Sequence, residues 1–230
     1  MVIDYENLLP REFNQILEAT PVAYLPWGAL EWHGEHMALG NDGLKAQAIL
    51  RRVAQAAGGI VLPPVWCGYW TMQWQIHGGF PLTLEFRRET VQQLLAEYIQ
   101  QLSAIGFKLI VVLSGHYGSE HMKALRETAE QETKQANYRG PEVWILADHD
   151  LVHDLGYTGD HAAKWEMSIL MHLYPELVDM SRLNDENAGR SGGILGEDPR
   201  STASEQSGSE IVTAIVDRLV RRVKQALMEP

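Results

Sequence analysis

Residues 22–36 read Val22-Ala23-Tyr24-Leu25-Pro26-Trp27-Gly28-Ala29-Leu30-Glu31-Trp32-His33-Gly34-Glu35-His36, an apolar run that passes into a polar stretch with two glutamates and two histidines. Short apolar runs rich in β-branched and aromatic residues read as buried strands. Residues 22–26 are one such run; 60–65, 109–113 and 143–147 are three more. Amphipathic stretches lie between and after them. Residues 44–57 carry Leu44, Ala48, Ile49 and Val53 on one stripe and stop at Gly58-Gly59, and residues 89–105 carry Leu94, Leu95, Tyr98, Ile99 and Leu102 and stop at Gly106. Helices are also expected over 120–135, 165–173 and 211–227, the last with Ile211, Ile215, Leu219 and Val223 at four-residue steps. This alternation predicts an α/β fold: a three-layer α/β/α arrangement with a mostly parallel central sheet, formed by residues 1–230 as one domain.

Composition narrows the classes of function. Of 230 residues, 45% are apolar and 21% charged, as expected of a globular chain. Thirty acidic residues against nineteen basic ones give a net charge of −11, which repels a phosphate backbone and argues against nucleic-acid binding. The single cysteine, Cys67, excludes an intrachain disulfide framework and a cysteine-based zinc ribbon. No apolar run approaches the ~20 residues of a membrane span, and the N-terminal residues lack a signal-peptide pattern, so a cytoplasmic protein without membrane contact is expected. Residues 184–209, rich in Gly, Ser, Asp and Glu, are too long for a simple connection and read as a disordered excursion, a lid or a subunit contact.

Ligands of an open α/β sheet bind beyond the carboxyl ends of its strands. Seven of the nine histidines fall in or near those segments: His33, His36, His77, His116, His121, His149 and His153. In an extended segment positions i and i+2 point the same way, so Glu31 and His33 can face one centre. Asp42 can return to it through a glycine-containing loop and bridge two ions with its two oxygens. His116 sits at a strand-to-helix turn, Ser114-Gly115-His116-Tyr117-Gly118. Nitrogen and oxygen donors without sulfur suit zinc, manganese or a similar first-row ion. His36 is a further ligand or a residue that orients Asp42 or Glu31. Asp148-His149-Asp150 stands at the same edge, as part of a site or as a solvated turn.

Four stretches resemble the creatininase (creatinine amidohydrolase) family. Residues 25–42 are similar to its P-x-G-(S/A)-x-E-x-H-G-x-H-L-P-x-x-x-D signature, residues 114–118 to its N-G-H turn, residues 160–168 to its H-A-G-x-x-E-T-S helix start, and residues 196–204 to its G-D-P-x-x-A-S segment. The resemblance implies a dinuclear metal hydrolase acting on amide bonds of small, often cyclic substrates, assembled into a homo-oligomeric ring such as a hexamer. Carried over by residue, Glu31 and His116 would hold one ion, His33 the other, and Asp42 would bridge them; zinc or manganese is expected, with iron as a further option. In creatininase a Glu two residues after the turn histidine holds the second ion. Gly118 stands there in this chain, so Glu166 is expected to supply the missing carboxylate, and creatinine itself is disfavoured as substrate. Met37-Ala38, Ser114, Ala163 and Met167 depart from the family pattern as well.

In this scheme His161 is the candidate proton shuttle, with Glu166 as its alternative, because the departing amine needs a proton. Tyr117, Gly118 and Trp165 are expected against the substrate, within a wall drawn from Trp66, Tyr69, Trp70, Trp74, Tyr117 and Trp165. Backbone N–H groups around residues 115–119 are available to an oxyanion or a substrate carboxylate. Two other readings stand beside the small-amide hydrolase: a metal-binding oligomeric protein without turnover, and a peptide- or precursor-processing hydrolase of the same family. A phosphate-binding turn at 114–118 has little support, since no G-x-G-x-x-G or G-K-(S/T) accompanies it and it leaves the histidine unexplained.

Overall fold

A computed structural model describes residues 3–75, 79–134 and 138–228, with the backbone alone at 74 and 75. Helix α1 (Pro10–Ala19) leads into strand β1 (Val22–Gly28), which is buried along its whole length. Then follow α2 (Asn41–Ala57), β2 (Ile60–Val61), β3 (Val65–Trp66), α3 (Met72–Gln75) and α4 (Arg88–Ile105). The chain continues through β4 (Leu109–Ser114), α5 (Ser119–Thr133), β5 (Glu142–Ala147), α6 (Lys164–Leu173), α7 (Pro199–Thr202) and α8 (Glu205–Ala226). Among the described residues the strands pair in parallel, in the order β2-β1-β4-β5, with β3 also paired to β1.

Both faces of the sheet are covered, which is why the strands read as continuous apolar runs. On one face Val22, Tyr24, Val111 and Leu113 pack with Ile49 and Val53 of α2 and with Ile211, Ile215, Leu219 and Val223 of α8. On the other, Ala23, Leu25, Ile110 and Val112 meet Leu95, Ile99 and Leu102 of α4 and Leu125 of α5. The α/β/α layering is therefore as expected from the sequence. The stretch 60–65 differs: it forms two short strands on one edge of β1, because Pro63 and Pro64 offer no N–H to a ladder.

Two helices begin earlier than their periodicity suggests. Helix α2 starts at Asn41, so Asp42 lies in its first turn and not in a loop. A carboxylate is favourable at that end of a helix, where backbone N–H groups are unpaired. Helix α8 starts at Glu205, capped by the Ser204 side chain, which accepts from Ser207 N. Residues 205–209 are thus helical; only 184–204 remain of the expected excursion, and they include α7 and a 3-10 turn at Arg190–Gly192. Ile194 in this stretch is buried, and Leu195 pairs with His161 through backbone hydrogen bonds in both directions. The predicted helix end at Gln135, residue His77 and the Trp74 side chain lie outside the described residues. Among the described residues no helix is long and apolar enough to cross a membrane.

Candidate metal centre

The carboxyl ends of β1 and β4 lie side by side, with Trp27 opposite Ser114. The first turn of α2 is laid directly over them. A Cβ on Gly28 would overlap the backbone of Gly43, and one on Gly115 would overlap the carbonyl of Asp42. Glycine at both strand ends is what lets the carboxylate of Asp42 come down onto the sheet edge.

Asp42 faces two donor groups, one with each oxygen. Its Oδ1 lies 3.0 Å from His33 Nε2, and its Oδ2 lies 3.5 Å from His116 Nδ1. Glu31 completes the second group, with Oε1 2.8 Å from His116 Nδ1; Glu166 completes the first, with Oε2 3.5 Å from His33 Nε2. Glu31, Asp42 and His116 each offer a donor atom within 4.8 Å of the others, as do His33, Asp42 and Glu166, and all five residues are buried.

Each donor is aimed by a second contact. Glu31 Oε2 accepts from Met72 N at 2.8 Å. His33 Nδ1 lies 3.1 Å from the carbonyl of Glu31, and His116 Nε2 lies 2.9 Å from that of Tyr69. A carbonyl only accepts, so these nitrogens carry hydrogens and the second nitrogen of each ring faces the carboxylates. A neutral ring would set its lone pair against theirs, which is unfavourable in a dry pocket without a proton or a metal ion between them. His33 Nε2 and Asp42 Oδ2 are in fact buried without any hydrogen bond. Burial works against protonation of His33, yet Asp42, Glu166 and Glu31 outweigh it and push its pKa up to about 9. His116 is raised for the same reason, with Glu31 and Asp42 overcoming burial. A pocket that draws protons onto two buried imidazoles has the donor set and the charge to suit divalent ions instead.

Lys45 is the contributor that the sequence pattern did not single out. It is fully buried, with Nζ 2.6 Å from Glu166 Oε1 and 3.0 Å from Asp148 Oδ2, and 4.6 Å from the centroid of the Tyr117 ring. Burial disfavours its ammonium, but Asp148, Glu166 and Asp42 more than compensate and raise its pKa. The signal was present: Lys45 is three residues after Asp42 and four before Ile49, on the buried stripe of α2. Glu166 is consequently tied on one side, where Oε1 also meets Tyr117 Oη at 2.9 Å, while Oε2 accepts from Ala162 N and faces His33. Burial opposes ionisation of Glu166, and Lys45 then His33 reverse this to lower its pKa. Asp148 is an ion-paired buried carboxylate and not a solvated turn.

His161 stacks on His33 with ring centroids 4.4 Å apart. Its Nε2 donates to the Trp32 carbonyl at 2.8 Å, which leaves the Nδ1 lone pair facing Glu166 Oε2 at 4.0 Å. Burial, then the neighbouring His33, lowers its pKa. His36 makes no part of either donor group: Nε2 lies 3.1 Å from the Ala162 carbonyl, and burial lowers its pKa to about 4. Asp160 holds the start of α6 by accepting from Trp165 N and Glu166 N; burial, then Glu166, raises its carboxyl to about 7.

A cleft of about 590 Å³ opens over these donors, with Glu31, Asp42, His116, His161 and Glu166 in its floor. Its walls include Trp70, Tyr117, His149 and Leu195, with Gly115, Gly118 and Ser119 at the N-terminal end of α5. Of the other aromatics expected there, Trp66 lies against Gly43 of α2. Trp165 is directed elsewhere, with its ring 5.5 Å from Tyr157 and beneath Lys164 Nζ at 4.7 Å. Tyr69 and Trp70 line an adjoining groove of about 510 Å³ with Phe86 and Arg87.

Comparison with known proteins bears on the family. A creatinine amidohydrolase from Pseudomonas putida is 32% identical over 180 residues, covering 71% of this chain and 68% of that protein. The mycofactocin precursor peptide peptidase of Mycobacterium ulcerans is 27% identical over 234 residues, covering 91% and 87%. A crystal structure of creatinine amidohydrolase superimposes with a TM-score of 0.84 at 28% identity over 97% of both chains. Similar creatininase structures include one titled as the Mn form, with a TM-score of 0.85 at 26% identity over 98% and 99%, and a mutant of Zn-Zn type, with 0.83 at 26% over 98% of both. The family model described as creatinine amidohydrolase matches residues 6–223, and the chain belongs to the creatininase family.

Proposed function

We propose that this protein is a metal-dependent hydrolase that cleaves the C–N bond of a small amide, a cyclic one included, using two divalent ions. Zinc or manganese fits the donors best, with iron as a further option. The observation that carries the reading is Asp42, whose two oxygens each face a separate buried donor group. His33, Asp42 and Glu166 would hold one ion, and Glu31, Asp42 and His116 the other. Bound there, the ions supply a water of lowered pKa and a Lewis acid for the substrate carbonyl.

The chain's own residues do the rest. His161 is neutral near pH 7, and its Nδ1 faces the cleft floor while Nε2–H is anchored on Trp32, so Nδ1 is the atom that accepts a proton and returns it to the leaving amine. Glu166 is a ligand and not the shuttle, because Lys45 and Tyr117 hold its carboxylate in place and keep it ionised. The first-turn N–H groups of α5 are available to an anionic oxygen of the substrate. Trp70 and Tyr117 offer flat walls, and Gly118 leaves open the space a glutamate would fill, which disfavours creatinine itself.

The adjoining groove past Trp70 favours one second reading, a peptide whose chain runs out of the cleft, and the mycofactocin precursor peptidases support it by matching over 90% of this chain or more. The deciding experiment combines elemental analysis with turnover. The wild type should carry two zinc or manganese ions per chain and hydrolyse at least one member of a panel of lactams, formamides, ureido compounds and short peptides. Asp42→Asn should lose both ions and all turnover. Full occupancy in that variant sinks the shared-carboxylate centre, and turnover of peptides alone replaces the small-amide reading.

A further inference from the structure

Beyond β5 the chain turns through two short 3-10 helices, Asp148–Leu151 and His153–Leu155. This winding sets the imidazoles of His149 and His153 against each other, with centroids 5.2 Å apart and planes 22° apart. Asp150 lies between them: its Oδ1 is 4.0 Å from His149 Nε2 and 3.9 Å from His153 Nε2. One donor atom from each of the three residues lies within 4.8 Å of the others.

The donors are oriented as well as close. Asp150 Oδ2 is occupied, accepting from Ala147 N and from Arg126 Nη2, each at 2.9 Å, so Oδ1 is the oxygen turned to the imidazoles. His149 Nδ1 is buried without a hydrogen bond and lies 3.6 Å from Asp148 Oδ1. Asp148 is in turn fixed by Lys45 and by the Tyr157 hydroxyl at 3.0 Å. A carboxylate at that distance favours the proton on Nδ1 and leaves the Nε2 lone pair facing Asp150, the arrangement found behind histidines that bind metal. Donors of a tetrahedral zinc ion stand ~3.3 Å apart for bonds of ~2.0 Å. The two gaps to Asp150 Oδ1 exceed that spacing by less than 1 Å; the His153 side chain, 56% exposed, has room to rotate across one, and a small turn of the Asp150 carboxyl, 28% exposed, would shorten the other.

We infer that His149, Asp150 and His153 form a separate site for a first-row transition ion, zinc(II) foremost, at the rim of the cleft. Two imidazoles and one carboxylate select such ions over calcium and magnesium, which require oxygen-rich shells. His149 also walls the cleft, with its ring edge-on to Tyr117 at 4.7 Å, so an ion here fixes one side of the entrance to the buried centre.

The test counts zinc bound by metal-stripped wild type and by His153→Ala in calorimetric titration. Wild type takes up one equivalent more than His153→Ala, and Asp150→Asn weakens that equivalent at least tenfold. The difference stands whatever number of ions the buried donors hold, so it is distinguishable from failure of the dinuclear centre. Equal stoichiometry in wild type and His153→Ala overturns the site. Loss of the extra equivalent in His172→Ala, a histidine that meets Arg52 and lies outside the three-residue cluster, overturns it too.

Discussion

Replacing Lys45 with methionine keeps the length of the side chain and removes the cation shared by Glu166 Oε1 and Asp148 Oδ2. Breaking a buried pair from one side costs about 3–5 kcal/mol, because the remaining charge has no water to return to. In urea unfolding of metal-free protein, Lys45→Met should therefore lower the unfolding free energy by that amount, read as a lower midpoint at an unchanged slope. Cys67 offers a simpler test. It is 4% exposed, and burial pushes its thiol up to about 11. The thiolate is the reactive form, so a disulfide reagent at pH 7–8 should leave the native protein unlabelled and react with one thiol per chain in denaturant. Single residues also show where the sequence is legible and where it is not. Glu31, His33, Asp42 and His116 stand out because polar groups at a strand's carboxyl end have a chemical reason to be there. Lys45 does not, because a lysine in a helix is ordinarily a solvated residue and its burial depends on Glu166, 121 positions away.

Between elements, the α6–α8 contact rests on Gly208. A Cβ there would overlap the carbonyl of Ser168, so the two helices touch backbone to backbone. Gly208→Ala should separate them and cost about 1–3 kcal/mol, the usual penalty of overpacking, read as a lower melting temperature. The same glycine explains a misplaced boundary. Gly208 and the serines around it look like a loop by composition, whereas the structure uses Ser204 as a helix cap and Gly208 as a contact surface. Likewise Gly40 and Gly43 suggest a loop before α2, but Gly43 is glycine because the Trp66 ring lies against it. The stripes that face the sheet were legible, since Ile211, Ile215, Leu219 and Val223 repeat at helical spacing and all four are buried. What composition hides is a glycine chosen for closeness instead of for turning.

Across the molecule, the donors come from the segment after β1, the start of α2, the turn after β4 and the start of α6. Ions held by them would join elements far apart in sequence and bind only the folded chain. At an ion concentration a hundredfold above its dissociation constant, that linkage adds about 2.7 kcal/mol per site. For a chain of this size, calorimetry should show melting about 5–10 °C lower for each ion removed by chelation, restored by zinc or manganese. A parallel sheet was legible from strand–helix alternation; the order β2-β1-β4-β5 depends on which strands meet in space and is not encoded in any one of them. That order sets β1 beside β4, and hence Gly28 and Gly115 beneath the backbone of residues 42 and 43. In a saturation library selected for turnover, positions 28 and 115 should thus be as intolerant as the ligands themselves, although neither offers a side chain to the reaction, and alanine at either should be depleted as strongly as asparagine at 42.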